Sequence, residues 1–270
     1  IGSDIALPVV MRKISLLSQI EKYSQGEVKI CTNGEELEQS FQERSLSVIM
    51  HIEGAECIDE NFYNLEALYR SGLRSIGPVW SRPTIFGVGV PFSFPSSPDI
   101  GGGLTNLGIE LIKHCNDLNI IVDTSHLNEK GFWDVAKNSI HPLIATHSNA
   151  HAICPHTRNL TDRQLDAIKD TKGMVGVNFA PAFLRKDGKM LSDTNIQLIA
   201  DHFKYLIDYL GEDHVGFGSD FDGAMMPKDL RSVLGMSKLT QLLVDQGFND
   251  NLMHKIYHQN WLEIIKHILK

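Results

Sequence analysis

The stretch from Asn119 to Asn159 constrains the fold more than any other part of the chain. An apolar run, Ile120-Ile121-Val122, ends in Asp123-Thr124-Ser125-His126. A second run, Pro142-Leu143-Ile144-Ala145, ends in Thr146-His147-Ser148. Between them a helical pattern sets Phe132, Val135 and Ala136 on one face. A strand, a helix and a strand in so short a stretch form a β-α-β unit whose strands lie parallel and adjacent. In α/β folds the C-terminal ends of such strands build the active site. His126 and His147 occupy equivalent tips. One histidine there fits a core residue hydrogen-bonded to backbone. Two at adjacent tips point to a metal site, because neutral imidazole is the commonest metal ligand.

Arg158 follows in the run His-Thr-Arg-Asn-Leu-Thr-Asp, and Thr161 with Gln164 has the form of a capping box that opens a helix over 162–170. Arg158 therefore belongs to the loop above the His147 strand. There it either pairs with Asp162 at the surface or clamps a substrate carboxylate through two parallel hydrogen bonds.

The rest of the chain repeats this plan. Residues 1–45 hold a helical pattern over Met11–Tyr23, a short strand over Glu27–Ile30 and a helix start at Thr32-Asn33, with no evident chemistry. Ser47 to Glu53 is a strand ending in a carboxylate, and Gly54 lets the backbone turn sharply after it. A carboxylate buried at a strand tip is costly unless paired or metal-bound. His51 shares that strand face but lies deeper, as a supporting neighbour rather than a ligand. Leu73 to Val79 predicts a strand tipped by Trp80, and Gly173 to Phe179 one with Asn178 near its end. Val215 to Asp220 predicts the last strand, tipped by Asp220; residues 228–270 read as helical. The Pro- and Gly-rich residues 81–103 are too long for a plain connection and predict a lid or pocket wall. Gly101-Gly102-Gly103 within them lacks the preceding strand and following Lys-Ser/Thr of a phosphate loop.

Six strand ends thus carry Glu53, Trp80, His126, His147, Asn178 and Asp220. Functional residues spread over many strand tips mark a (β/α)8 TIM-type barrel, whereas a doubly wound sheet concentrates them at one switch point. The expectation is an α/β single domain over residues 1–270. An excess of acidic residues, net charge −8, argues against non-specific nucleic-acid binding. Cys31, Cys57, Cys115 and Cys154 form no C-x-x-C pair and read as buried or half-buried thiols of a reducing compartment. No apolar run approaches the ~20 residues of a membrane span; a cytoplasmic location is expected. The oligomeric state stays open, a homodimer among the alternatives.

Taken together, these residues resemble the membrane (renal) dipeptidase family of zinc metallopeptidases, in its bacterial form. Ile52-Glu53-Gly54-Ala55 is similar to that family's bridging-glutamate motif. Asp123-Thr124-Ser125-His126 and Thr146-His147-Ser148-Asn149-Ala150 are similar to its two histidine motifs. Arg158-Asn159 and Gly218-Ser219-Asp220-Phe221-Asp222-Gly223 resemble its substrate-arginine and catalytic-aspartate motifs. The resemblance implies a binuclear zinc site in which Glu53 bridges the metals, and His126 and His147 complete the second. It implies that Arg158, Trp80 and Asn178 contact the dipeptide substrate and that Asp220 moves the proton during hydrolysis. Trp80 stands where eukaryotic members carry His; bacterial-like relatives share the Trp-Ser-Arg-Pro run.

The family also carries a His-x-Asp on its first barrel strand, and no His-x-Asp occurs in these 270 residues. The expectation is a chain lacking the N-terminal segment and first two strands of the family. It should hold at most one tightly bound zinc, with little dipeptidase activity of its own. The alternatives are an inactive or single-metal remnant with a binding or scaffold role, and a related metal-dependent amide hydrolase.

Overall fold

The computed structural model describes residues 2–270, which form two compact units. The first comprises the chain as far as Gly89, Gly101–His141 and Leu262–Lys270; the second comprises Val90–Ile100 and Pro142–Trp261.

In the first unit all strands run parallel. β1 (Val28–Ile30) pairs with β2 (Leu46–Val48), and β3 (Met50–Glu53), β4 (Leu73–Gly77) and β5 (Ile121–Val122) form a second sheet in that order. Only Ile49 separates β2 from β3, so the strand expected over Ser47–Glu53 is present but broken. Its N-terminal half pairs with β1 and its C-terminal half with β4. Helices Tyr63–Arg70 and Asn106–Asp117 connect successive strands. They bury Leu65, Leu68, Leu111 and Ile112, each worth about 1.5–3 kcal/mol of apolar burial. Asn33, Thr105 and Asn128 cap their helices, accepting the N–H of Glu36, Gly108 and Gly131 at 2.9, 3.1 and 2.9 Å. Helix Glu129–Asn138 buries Phe132 and Val135 on the expected face. Helix Ser3–Tyr23 buries none of its residues. It walls a cavity of about 630 Å³ whose other side includes Met50, His51 and Glu53.

The second unit carries one parallel sheet, β6 (Ile144–Ala145), β7 (Met174–Val177) and β8 (Val215–Phe217), in chain order. Helix Asp162–Asp170 joins β6 to β7 and opens on the expected capping box, in which Gln164 Oε1 accepts the Thr161 N–H at 2.9 Å. Helices Pro181–Leu184 and Gln197–Leu210 join β7 to β8. All four β7 residues are buried, as a strand covered on both faces requires.

Four expectations need correction. The strands of the β-α-β unit, expected to lie adjacent, are β5 and β6, and they belong to separate sheets. The strand expected to reach Trp80 ends at Gly77, where Pro78 interrupts the ladder, and the strand expected to reach Asp220 ends at Phe217. The C-terminal region is not one helical stretch. Two 3-10 turns precede helix Met236–Asp245, and a π-helical segment, Lys255–Gln259, lies between Asp250–His254 and Asn260–Ile268. There Asn260 reaches back to the carbonyls of Glu212 and Val215, and Trp261 Nε1 to that of Phe217. This tertiary anchoring sets the register where periodicity alone predicts an uninterrupted helix.

Two histidines in the second unit are held uncharged. His202 is wholly buried; its Nδ1 accepts the Ala150 N–H and its Nε2–H donates to Leu184 O, both at 3.2 Å. Burial pushes it down to about 4. His156 accepts the Arg158 N–H at 3.1 Å and is likewise pushed down to about 4 by burial, then by the charges of Arg158 and His151. An unfolded histidine binds its proton near pH 6.5. Between pH 6.5 and about 4 the unfolded chain therefore takes up protons that the fold refuses. Stability should fall on acidification through that window, by up to about 1.4 kcal/mol per pH unit for each group. Urea-unfolding midpoints at pH 7, 6 and 5 should decline steadily; a flat profile would show that these rings are not the neutral pair described.

Candidate active site

In the first unit the site is built on β3. Alternation along the strand sets His51 and Glu53 on one face, with Glu53 in register with Gly77. Immediately after it Gly54 takes φ +88°, and a Cβ there would lie 2.4 Å from Glu56 Oε2, so the turn requires glycine. That close packing brings in Glu56, which is buried and accepts from Arg82 Nε at 2.6 Å. The Arg82 guanidinium in turn sits 5.1 Å from the centre of the Trp80 ring. An ion pair and a cation–π contact thus pin the Trp80-Ser81-Arg82 run. Trp80 is therefore a loop residue whose ring lies 5.9 Å from that of His126.

His126 follows β5 through a tight turn and is 6 % exposed. Its Nε2 lies 2.9 Å from Glu53 Oε1 and its Nδ1 2.8 Å from Ser81 Oγ. His51 stands beside this pair with Nδ1 2.8 Å from Ser75 Oγ and Nε2 3.9 Å from Asp123 Oδ2. Asp123 accepts both the backbone N–H and the hydroxyl of Ser125, at 3.0 and 2.6 Å, and so stiffens the turn that delivers His126.

In the second unit His147 leaves β6 after Thr146, whose Oγ1 lies 2.7 Å from His147 Nδ1. Arg158 is buried, 2 % exposed. Its terminal nitrogens donate to His147 O at 3.1 Å and Ser148 Oγ at 3.4 Å, and its guanidinium lies 5.4 Å from the Phe183 ring centre. Asp162, its alternative partner at the surface, accepts the Tyr205 hydroxyl at 2.7 Å. Residues 90–100 stand against the Arg158 loop. Thr157 N–H donates to Ser93 O at 3.2 Å, Ser96 N–H donates to Pro155 O at 2.9 Å, and Phe92 stacks on Phe183 at 6.0 Å. This part of the long Pro- and Gly-rich loop packs on the Arg158 loop.

Asn178 is wholly buried. Its Nδ2 donates to Asp220 Oδ2 at 3.1 Å and to His147 O at 3.4 Å, and its Oδ1 accepts the Ala180 N–H at 2.7 Å. Its backbone N–H and C=O are both taken by the Asn149 amide. Asp220 adopts φ +59° and Asp222 φ +65°, a region that Asp tolerates better than most residues. A Cβ on Gly223 would lie 2.1 Å from Asp220 Oδ1, so glycine at that position leaves room for the carboxylate.

Of the residues singled out from sequence, the first unit joins Glu53, His126 and Trp80, and the second joins His147, Arg158, Asn178 and Asp220. Sequence reasoning misses Ser81, Thr146 and Phe183. The hydroxyls adjoin a motif residue in each case, and Pro181 at a helix start is the available sign of the short helix that presents Phe183.

The family model described as membrane dipeptidase, peptidase family M19, matches residues 3–270. The "Uncharacterized protein in pqqA 5'region" of Klebsiella pneumoniae is 45 % identical over 262 residues, 97 % of each chain. The dipeptidase tcpJ of Claviceps purpurea (strain 20.1) is 26 % identical over 260 residues, 95 % of this chain and 59 % of that protein. A solved metallo peptidase from Rhodobacter sphaeroides, liganded with a phosphinate mimic of the dipeptide L-Ala-D-Ala, superposes with TM-score 0.98 at 48 % identity. The match covers 99 % of this chain and 76 % of that one.

The Asn178 geometry predicts a structural cost. Asn178→Ala strips hydrogen bonds from the Asp220 carboxylate, His147 O and the Ala180 N–H at once. Stability should drop by about 2–4 kcal/mol, read as a lowered denaturation midpoint with an unchanged slope. A loss below about 0.5 kcal/mol would mean that the amide does not carry this network.

Proposed function

Because the chain belongs to the membrane dipeptidase family, peptidase family M19, we propose that it is a zinc-dependent dipeptidase acting on dipeptides with a free C-terminal carboxylate. Hydrolysis of dipeptides is the family's class of reaction, and among the described residues no helix is long and apolar enough to cross a membrane. The observation that carries the reading is the pairing of Glu53 Oε1 with His126 Nε2, 2.9 Å apart across the ends of β3 and β5, the two strands that flank β4. A carboxylate oxygen and an imidazole nitrogen held this close are a donor set suited to zinc; the same donors accept manganese or cobalt.

In this proposal Glu53 and His126 of the first unit and His147 of the second are divalent-cation ligands, and the chain is a (β/α)8-type barrel domain. A cation held there would supply water activation and polarise the scissile carbonyl. Asp220 would move a proton from the attacking water to the departing amine. Asn178 holds one carboxylate oxygen of Asp220, which orients the group, so we assign Asn178 to Asp220 rather than to direct substrate contact. Arg158 clamps the substrate carboxylate; its buried guanidinium is already oriented by His147 O and Ser148 Oγ, which favours a bidentate pair. Trp80 covers His126 and walls the site.

The Rhodobacter sphaeroides relative binds a mimic of L-Ala-D-Ala, and we extend tolerance of a C-terminal D-residue to this chain. Even with the weak turnover expected from the missing His-x-Asp, L-Ala-D-Ala should be cleaved measurably and its C-terminal amide should not. Arg158→Lys should lower kcat/KM at least about tenfold, because a point charge replaces a planar fork. Asp220→Asn should lower kcat by about 10²–10⁴-fold. Chelation should abolish hydrolysis, and zinc should restore it. Equal turnover of dipeptide and amide would remove Arg158 from its role. Binding of the phosphinate without turnover under any metal would favour the non-catalytic reading instead.

A further inference from the structure

We propose that Ser81 and Thr146 are positioning residues that decide which nitrogen of His126 and of His147 faces a metal. Ser81 Oγ lies 2.8 Å from His126 Nδ1, and Thr146 Oγ1 lies 2.7 Å from His147 Nδ1. Each ring has a hydroxyl at the same nitrogen, although one hydroxyl comes from a loop after β4 and the other from the residue just before its histidine. With Nδ1 engaged by a hydroxyl, Nε2 is the nitrogen each ring would present to a metal. The inference rests on the metal reading above and concerns how this chain prepares its rings for the ion.

The choice of a hydroxyl has a physical consequence. In the structure His126 Nε2 faces Glu53 Oε1 at 2.9 Å. An ionised carboxylate only accepts, so without metal Nε2 carries the hydrogen. In the neutral ring Nδ1 is then the acceptor, and the Ser81 O–H donates to it. A metal at Nε2 needs that nitrogen's lone pair. The ring's single proton then resides on Nδ1, and the same Ser81 oxygen accepts it. The proton moves from Nε2 to Nδ1, the hydroxyl rotates from donor to acceptor, and no net proton is gained or lost. A carboxylate or a backbone carbonyl in place of Ser81 would accept only, fixing Nδ1–H in both states. A hydroxyl, being donor and acceptor together, lets the ring serve both the Glu53 hydrogen bond and the metal without an unsatisfied nitrogen in either.

Ser81 is itself held in place. The Glu56–Arg82 ion pair at 2.6 Å and the Arg82–Trp80 contact fix the run that carries it.

Ring proton positions are read by long-range 1H–15N correlation on 15N-histidine-labelled protein, before and after zinc addition. Zinc affinity is read by competition with a chromophoric chelator. His126 should be an Nε2–H ring without metal and an Nδ1–H ring with zinc, and His147 should be an Nδ1–H ring with zinc. Ser81→Ala and Thr146→Val should each weaken zinc binding about 10–100-fold, whereas Ser81→Thr and Thr146→Ser should stay within about threefold of wild type. Zinc bound through Nδ1 of either ring would overturn the proposal. So would wild-type affinity in both Ser81→Ala and Thr146→Val, with circular dichroism showing them folded. The metal reading fails separately, if wild-type protein binds no zinc or if His126→Ala binds it undiminished.

Discussion

A parallel strand covered on both faces leaves only its ends for chemistry. Every backbone group along it is taken by the ladder and every side chain along it must be apolar or small. β7 meets this with four buried residues, and β5 and β6 with two each. The polar residues are then displaced past the C-terminal ends, where the chain turns back toward a helix. His126 and His147 stand just beyond such ends, and Glu53 closes β3, whose alternate residues are exposed. The pattern is a consequence of burial before it is a consequence of function.

Burial then has to be reconciled with polarity, because the loops beyond the strands are not surface loops. Asn149, Asn159, Asn178 and His202 are each at most 2 % exposed. Their side chains act as backbone partners in places that no regular element reaches. The Phe183 carbonyl accepts from both Asn149 and Asn159, and its ring packs against Phe92, His156 and the Arg158 guanidinium. Neutral histidine belongs to the same pairing of donors with acceptors: His202 satisfies one N–H and one C=O, which a protonated ring could not do. Each such bond is worth about 1 kcal/mol net, but losing one partner in a dry interior costs more than the bond contributes. The network therefore behaves as a unit and holds the Arg158 loop rigid.

Much of this is legible in the sequence, because a short apolar run that stops at His or Glu is what a buried strand delivering that residue to its tip must look like. The helix around Phe132, the capping box at Thr161 and the strand before Glu53 all follow from local rules that tertiary contacts reinforce, whereas the direct pairing expected of β5 with β6 is not made. The errors lie where tertiary contacts override local pattern. Trp80 and Asp220 extend apolar runs and read as strand residues, yet Pro78 and the turn after Phe217 end the ladders earlier. The π-helical segment keeps helical composition and is set by Asn260 and Trp261 reaching back to β8. Asn178 stands out as a polar residue near a strand end, but composition cannot show which way an amide faces. Ser81 and Thr146 are single hydroxyls, and a hydroxyl acquires meaning only from the nitrogen opposite it.

Asp220 shows how a carboxylate can be placed by backbone conformation as much as by packing. Its φ of +59° and that of Asp222 at +65° each cost about 1–2 kcal/mol for an ordinary residue, somewhat less for aspartate. The turn persists because its surroundings specify it. The Gly223 N–H donates to Asp220 O at 3.1 Å, Asn178 Nδ2 holds the carboxylate at 3.1 Å, and Gly223 lacks the Cβ that would strike Oδ1. Strain of this kind survives only where neighbouring contacts over-determine the conformation. An aspartate continuing β8 in extended form would point its side chain alternately with the strand, committed to one face of the sheet. The left-handed turn releases it from that alternation. Its carboxylate, the group proposed to move the proton, is aimed instead by an amide buried one strand away.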